Sequence, residues 1–399
     1  MHTIIIHQHD PTIHYAGGIG TFINAFVKYA PSDLDVSLVG VVTDPARYRI
    51  GRWHQVRVGE RACRFLPIVA GHPVRRDPVP LTLRFTWALR RYRAHLGAED
   101  AILTFHRIEP TLAVRRLPNP KVLFLHGHIQ DLRNPKTEMT WGKFPWLYFW
   151  LEGQLIQTLS RVYICRKDAL AFYQARYPAL TGRLALFPTL VDGEIFRPLA
   201  EAERVQIRRQ LAQTHHFSPE SRIVVFVGRF EGSKDPLLLL EAFRRLNGKA
   251  GQALLVLIGA GTLAGAMQAF IQNHGLSKTV RILEPKVPRE IARWMNIADC
   301  FVLSSAYEGM PIAVLEALRC GVPVVSTAVG EIPRLVPNDR VGRLVRTRDP
   351  EAFAEAIVAT LRQPPDRDAC QRQVAPYTAS KVLAQVYAAY HELHDHAAH

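Results

Sequence analysis

The sequence is short of acidic side chains, of paired cysteines and of long apolar runs. Its five cysteines, Cys63, Cys165, Cys300, Cys320 and Cys370, stand far apart, and no CxxC pair occurs. With strand-like neighbours around Cys165 and Cys300, they read as reduced core residues of a cytoplasmic protein rather than as a disulfide framework. The nearest approach to a membrane span, Phe144–Leu159, is broken by Glu152 and carries Gln154 and Gln157. No run reaches the roughly 18 apolar residues that a spanning helix needs. The opening stretch Met1–His7 has no charged head followed by a long apolar core, so no secretory leader is expected. Low-complexity tracts and short repeats are absent as well.

The shortage of acids leaves 50 Lys and Arg against 35 Asp and Glu, a net charge of +15. The excess is uneven. Residues 1–195 hold 25 basic and 15 acidic side chains, a net of +10, and the remainder holds 25 and 20, a net of +5. A basic first half suits an anionic partner such as phosphate or an anionic membrane surface, although a merely solvated basic surface gives the same count. The arginines form no recognisable nucleic-acid module, so nucleic acid is not expected.

What is present is enough apolar material, 48% of 399 residues, for two domains with cores of their own. Short β-branched runs alternate with helix-length amphipathic stretches. The runs are Thr3–Ile6, Val36–Val42, Arg64–Val69, Ala101–Phe105, Lys121–Leu125, Arg161–Cys165 and Leu184–Phe187 in the first half. They are Arg222–Val227, Ala253–Ile258, Val280–Leu283, Cys300–Ser304, Pro323–Ser326 and Gly342–Val345 in the second. Continuous apolar runs fit strands covered on both faces, and the alternation predicts an α/β protein with two parallel sheets wrapped by helices. Prolines around Phe187-Pro188 and Arg197-Pro198 mark the boundary. The expected organisation is a Rossmann-like domain over 1–192, a second over 193–376 and a helical segment over 377–399 that is free to cross back to the first. Two such domains facing across a cleft would place their ligand sites there.

The strongest chemical signal is Ser305-Ala306-Tyr307-Glu308-Gly309-Met310-Pro311-Ile312-Ala313-Val314-Leu315-Glu316, directly after the strand Cys300–Ser304. Pro311 suits the first turn of a helix that Gly321 stops. Glu308 then falls in the strand–helix loop and Glu316 in the second helical turn. Free N–H groups at the helix start favour a phosphate, and a carboxylate at Glu316 can accept two ribose hydroxyls. A second signal, Gly228-Arg229-Phe230-Glu231-Gly232-Ser233-Lys234, ends the strand Arg222–Val227. Arg229 offers a fork of donors and Lys234 a point charge, a pair suited to a diphosphate that gains charge as it leaves.

Two weaker signals lie in the first half. The adjacent Gly17-Gly18 after the first strand allows close backbone approach to an anion, but no acidic residue completes a dinucleotide fingerprint. His126 is the first residue past the apolar run Lys121–Leu125, at a strand end that points into a crevice. His128, two residues on, is the alternative. Sparse acid and cysteine neighbours argue against a histidine metal site.

Together these residues resemble the family 4 glycosyltransferases, retaining enzymes of the GT-B fold. The Glu308–Glu316 spacing is similar to the family's E-x7-E element, and Ala298–Ser305 and Cys320–Ser326 are similar to the segments around it. The resemblance implies a nucleotide-diphosphate-sugar donor as co-substrate and neither metal nor other cofactor. It places Glu316 on the donor ribose and Glu308 near the sugar hydroxyls. Arg229 and Lys234 would hold the diphosphate with amides near Gly17, Gly18, Met310, Pro311 and Ile312. Leu283 would lie at the base, and His126 at the sugar and reacting centre. Three positions depart from the pattern: Pro188-Thr189-Leu190-Val191-Asp192 in the linker, Gly330-Glu331 for a double glycine, and Cys165-Arg166 for Ser-Glu, of which the first two concern hinge geometry and sugar contacts and so bear on donor identity.

The expected reaction is sugar transfer to a glycan, lipid-linked or small-molecule acceptor in bacterial polysaccharide or glycoconjugate synthesis. A nucleotide-sugar epimerase or a non-catalytic nucleotide-sugar-binding subunit on the same fold is the alternative. The aromatic run Phe144–Trp150, with Arg84, Arg90, Arg91, Arg93, Arg115 and Arg116, raises the expectation of a cytoplasmic protein held peripherally on the inner face of an anionic membrane.

Overall fold

The computed structural model describes residues 1–13, 18–71, 78–97, 100–126, 145–246 and 251–398. It divides into two compact units, Met1–Pro188 with Ala379–His399, and Thr189–Thr378. The linker stays with the second unit because Val191 donates its N–H to the Tyr377 carbonyl at 2.9 Å and bridges Thr378. The division therefore falls at 188 and 378 rather than at 192 and 376.

In the first unit the chain runs β1 (His2–Ile6), α1 (Gly18–Tyr29), β2 (Asp35–Val42), β3 (His54–Val58), β4 (Arg61–Ala70), α2 (Leu81–Gly97), β5 (Ile102–Phe105), α3 (Thr111–Val114), β6 (Lys121–Leu125), α4 (Pro145–Ile156), β7 (Arg161–Ile164), α5 (Lys167–Arg176) and β8 (Leu184–Leu186). The sheet order is β3-β4-β2-β1-β5-β6-β7-β8. Every pairing is parallel except β3 with β4. This edge hairpin adds one antiparallel pairing to the parallel sheet that the sequence predicts. Its strand His-Gln-Val-Arg-Val alternates apolar with polar, burying only Val56 and Val58, so it lacks the continuous run that marks the other strands.

In the second unit follow α6 (Glu201–His215), β9 (Arg222–Val227), α7 (Pro236–Leu246), β10 (Ala253–Ile258), α8 (Ala264–Asn273), β11 (Val280–Leu283), α9 (Pro288–Ile297), β12 (Cys300–Leu303), α10 (Ile312–Arg319), β13 (Val324–Thr327), α11 (Ile332–Leu335), β14 (Gly342–Val345), α12 (Pro350–Arg362) and α13 (Arg367–Val374). Its sheet is parallel throughout, in the order β11-β10-β9-β12-β13-β14. Strands such as Ile223–Phe226 and Leu254–Ile258 are buried end to end, as helices on both faces require.

The last helix, α14 (Ala379–Ala398), returns to the first unit. Tyr387 donates to the Phe26 carbonyl of α1 at 2.7 Å, and the Tyr390 and Thr104 hydroxyls meet at 2.7 Å. The five cysteines are buried and unpaired with one another. Burial pushes the Cys63 thiol up to about 11 and Cys370 to about 12, so neither is a reactive thiolate near neutrality.

Candidate functional site

Counted from β9, the second sheet has the order 3-2-1-4-5-6, and connections leave the β9/β12 seam in opposite directions. In open α/β sheets ligands bind beyond the carboxyl ends of the strands at such a seam, in the crevice between the diverging connections. The loop after β9 carries Arg229 and Lys234, and the loop after β12 carries Glu308, Met310 and Pro311. Side chains and backbone stitch the two together. Lys234 Nζ lies 2.5 Å from Glu308 Oε1, and Ser305 Oγ donates to the same oxygen at 2.6 Å. Ala306 donates its N–H to the Ser233 carbonyl at 2.8 Å. Ser304 Oγ sits 2.9 and 2.8 Å from the Lys234 and Asp235 carbonyl oxygens. Glu308 is buried and Arg229 is exposed.

Asp235, next to Lys234, has φ 43, a left-handed conformation that a non-glycine residue keeps only when its surroundings enforce it. Arg348 supplies that enforcement. Its guanidinium pairs with the Asp235 carboxylate and donates to the Ser305 carbonyl at 3.1 Å, which the Thr327 hydroxyl also reaches at 2.7 Å. Gly330 closes the other side. At φ 57, a Cβ there would lie 2.2 Å from the Glu308 carbonyl oxygen, and Glu331 donates its N–H to the Gly309 carbonyl at 2.9 Å. Glycine is thus required where the loop after β13 passes the Glu308 loop.

Pro311 is extended, with φ −72 and ψ 122, and stands as the N-cap of α10 rather than in its first turn. Its carbonyl accepts from Val314 and Leu315, so the amides left without an intrahelical partner belong to Ile312 and Ala313. Glu316 occupies the second turn, with 8% of its surface exposed. Among the described residues nothing donates a hydrogen bond to its carboxyl. Burial pushes its pKa up to about 8, and the Asp192 carboxylate adds to the rise. A buried carboxyl without a donor is unfavourable unless a ligand completes it, which makes Glu316 the most perturbed group of the crevice. Leu283 ends β11 half-buried, and its carbonyl accepts from Gly259 at 3.0 Å.

In the first unit, His126 follows β6, His106 follows β5 and His7 follows β1. His106 Nδ1 and His126 Nε2 share a hydrogen bond at 2.8 Å, and His7 stacks edge-on against His106 at 5.5 Å. Burial lowers His126 to about 4 and holds His7 and His106 well below the usual range, so all three are neutral at pH 7. Phe22, one turn into α1 from Gly18, packs 5.1 Å from His106 and 5.5 Å from His126. Gly17 and His128 lie outside the described residues.

The structure therefore joins Lys234 with Glu308 directly, sets Arg229, Met310, Pro311, Ile312 and Glu316 around the same strand ends, and gathers Gly18 and His126 near Phe22. Sequence reasoning passed over Ser304, Thr327, Asp235, Arg348 and His106. Ser304 and Thr327 end apolar runs, and a polar residue at a parallel strand end was the available signal. Arg348 has no local pattern at all.

Residues 208–375 match the family model for glycosyl transferases, group 1. The chain is 32% identical over 187 residues to the D-inositol 3-phosphate glycosyltransferase of Paenarthrobacter aurescens, covering 46% of this chain and 44% of that one. It is 30% identical over 227 residues to the protein of that name from Corynebacterium jeikeium, covering 55% and 53%. The chain thus spans about half the length of these curated relatives. Sucrose-phosphate synthase from Thermosynechococcus elongatus shares the fold across both units, with a TM-score of 0.79 at 18% identity over 98% of this chain and 99% of that one. Anabaena HepE, solved with UDP and glucose, gives 0.72 at 14% identity over 97% and 98%. The architecture is the GT-B fold.

Proposed function

We propose that this protein transfers a sugar from a nucleotide-diphosphate-sugar donor to an acceptor hydroxyl, with retention at the anomeric carbon and without a metal ion. The observation that carries the reading is Glu316: a buried carboxyl with no hydrogen-bond donor among the described residues, eight residues beyond a loop glutamate already paired with a lysine. In this reading the ribose hydroxyls donate to Glu316. Arg229, Lys234 and the Ile312 and Ala313 amides receive the diphosphate, and Glu308 meets the sugar. Lys234 exchanges its contact with Glu308 for the diphosphate when donor arrives.

The bond from C1 to the β-phosphate oxygen breaks with its electron pair on the diphosphate. The acceptor oxygen bonds C1 from the same face, and its proton goes to the departing phosphate oxygen. Fixed cations and amides aimed at that oxygen act where charge develops. HepE in complex with UDP-glucose and the UDP-forming trehalose-phosphate synthase of Burkholderia xenovorans support UDP-sugars as the first donors to try. The acceptor is a glycan, a lipid-linked saccharide or a small molecule of polysaccharide or glycoconjugate synthesis, and a peripheral position on an anionic membrane would give access to a lipid-linked one.

A thermal-shift panel of UDP-, GDP-, ADP- and dTDP-sugars tests the donor, because a ligand that binds the folded state raises its stability by mass action. One nucleotide should give a clear rise that Glu316→Gln abolishes. No rise with any of them would end the proposal. Donor turnover without acceptor, yielding an isomerised sugar nucleotide, would indicate the epimerase instead.

A further inference from the structure

The first unit has a face whose chemistry the transfer reaction does not use. Strands β4, β5, β6 and β7 are joined by α2, α3 and α4 while the chain advances in one direction across the sheet, and right-handed crossovers put all three helices on the same side. The inner side of that layer is settled: Phe85 and Leu89 of α2, Val114 of α3 and Leu155 of α4 belong to one buried cluster with Leu103 and Leu123.

The outer side is not what a solvated helix layer presents. Among the described residues, every large apolar side chain that is exposed, except Val205, belongs to this stretch. Leu83 and Trp87 stand on α2 with Val79 just before it, Leu112 on α3, and Trp146, Leu147 and Trp150 on α4. Trp87 is 78% exposed, Trp146 69% and Trp150 61%. Between α2 and α3 runs a groove of about 490 Å³. Its apolar wall is Leu83, Trp87 and Leu112, and its polar wall is four arginines, Arg90, Arg93, Arg115 and Arg116. Residues 78–97 contain no acidic side chain, and the acid nearest α3, Glu109, is buried. None of the four arginines forms an ion pair among the described residues.

Tryptophans beside arginines that form no ion pair among the described residues match one environment, the boundary where lipid phosphates meet acyl chains. The indole buries its ring while its N–H stays at the headgroups, and each arginine faces phosphate. Scattered exposed leucines need no explanation, but a face that collects nearly all of them does. Among the described residues no helix is long and apolar enough to cross a membrane, so attachment of this kind is lateral.

We propose that the outer face of α2, α3 and α4 docks on an anionic phospholipid bilayer, with Arg90, Arg93, Arg115 and Arg116 on lipid phosphates and Trp87 at the acyl boundary. This assigns the surface for the peripheral position read above, and it stands apart from the transfer chemistry. The test is co-sedimentation of the full chain with phosphatidylcholine vesicles, with and without phosphatidylglycerol, over a salt series. Binding should require the anionic lipid and weaken as salt rises. Arg90→Gln with Arg93→Gln should weaken it about thirty-fold, from about 1 kcal/mol per basic residue near the surface. Trp87→Ala should weaken it about ten-fold, with little change in salt dependence. Both variants should keep the wild-type thermal shift with sugar nucleotide, which separates this proposal from the donor site. Equal binding to neutral vesicles, or wild-type binding by both variants, overturns it. Groove binding to soluble glycerol phosphate without vesicle binding assigns the arginines to a small phosphorylated ligand and overturns it too.

Discussion

Lys234 and Glu308 meet at 2.5 Å although 74 residues separate them in the chain. The contact exists because β9 and β12 are neighbours in the sheet, so the loops leaving their carboxyl ends share one crevice. A lysine held by a carboxylate is pre-positioned and can be taken over by a more highly charged diphosphate.

Loss of that cation should therefore lower turnover more than it lowers stability. Arg229→Ala and Lys234→Ala are each expected to reduce kcat about 100-fold to 1,000-fold, the usual effect of losing a charge-stabilising donor. Steady-state rates with excess donor check this. Near-wild-type rates in the double variant would remove both residues from the mechanism. Turnover should also survive EDTA, since these cations occupy the role assigned to charge stabilisation.

Most of this arrangement could be read from residue order, and the reason is the buried character of parallel strands. Strands such as Val224–Phe226 and Leu254–Leu257 show as uninterrupted apolar runs because helices cover both faces. The edge strand His54–Val58 did not show, since only alternate residues are buried there. The site divided in the same way. Glu308 and Glu316 share one strand–loop–helix segment, so their spacing is visible locally. Arg348 acts on Asp235 across 113 residues, and no local pattern encodes such a contact. Pro311 shows a finer limit, because a proline marks a helix start without separating the cap from the first turn.

Glu316 predicts opposite effects of one substitution on stability and binding. Its pKa rises from 4.5 to about 8 on folding, so the folded protein holds a proton that the unfolded chain gives up. Its contribution is complete below pH 4.5 and is lost as pH climbs to about 8, by at most about 1.4 kcal/mol per pH unit. Glu316→Gln should melt higher than the wild type at pH 9, near it at pH 5, and show no donor-induced shift at either. Scanning calorimetry across that range reads the difference, and parallel melting curves at all pH values would contradict it.

The contact of Gly330 with Glu308 predicts a loss through backbone alone. Gly330→Ala adds a methyl group 2.2 Å from the Glu308 carbonyl oxygen at a φ of 57, so the loop must shift. Strain of this kind amounts to about 1–3 kcal/mol. The variant should unfold at lower denaturant and lose donor affinity together. Arg348→Met should act on the same loop from the Asp235 side, raising the donor KM more than it changes stability. A Gly330→Ala protein with wild-type affinity would show that the Glu308 loop does not set the pocket.

The histidine pair makes a prediction about acid. Burial lowers His126 to about 4 and keeps His106 well below 6.5, so both are uncharged when folded, whereas the unfolded chain protonates them near 6.5. The sign is the reverse of that for Glu316. Stability from these groups is present above pH 6.5 and is lost as pH falls toward 4. His106→Gln removes one buried imidazole and should flatten that acid limb in urea titrations between pH 7 and 5. The same neutrality bears on catalysis. A His126 with a pKa of about 4 cannot give the kcat/KM profile a limb near 6.5, so the rate should pass through that region without a histidine inflection. An inflection near 6.5 that disappears in His126→Gln would show instead that His126 titrates in contact with solvent.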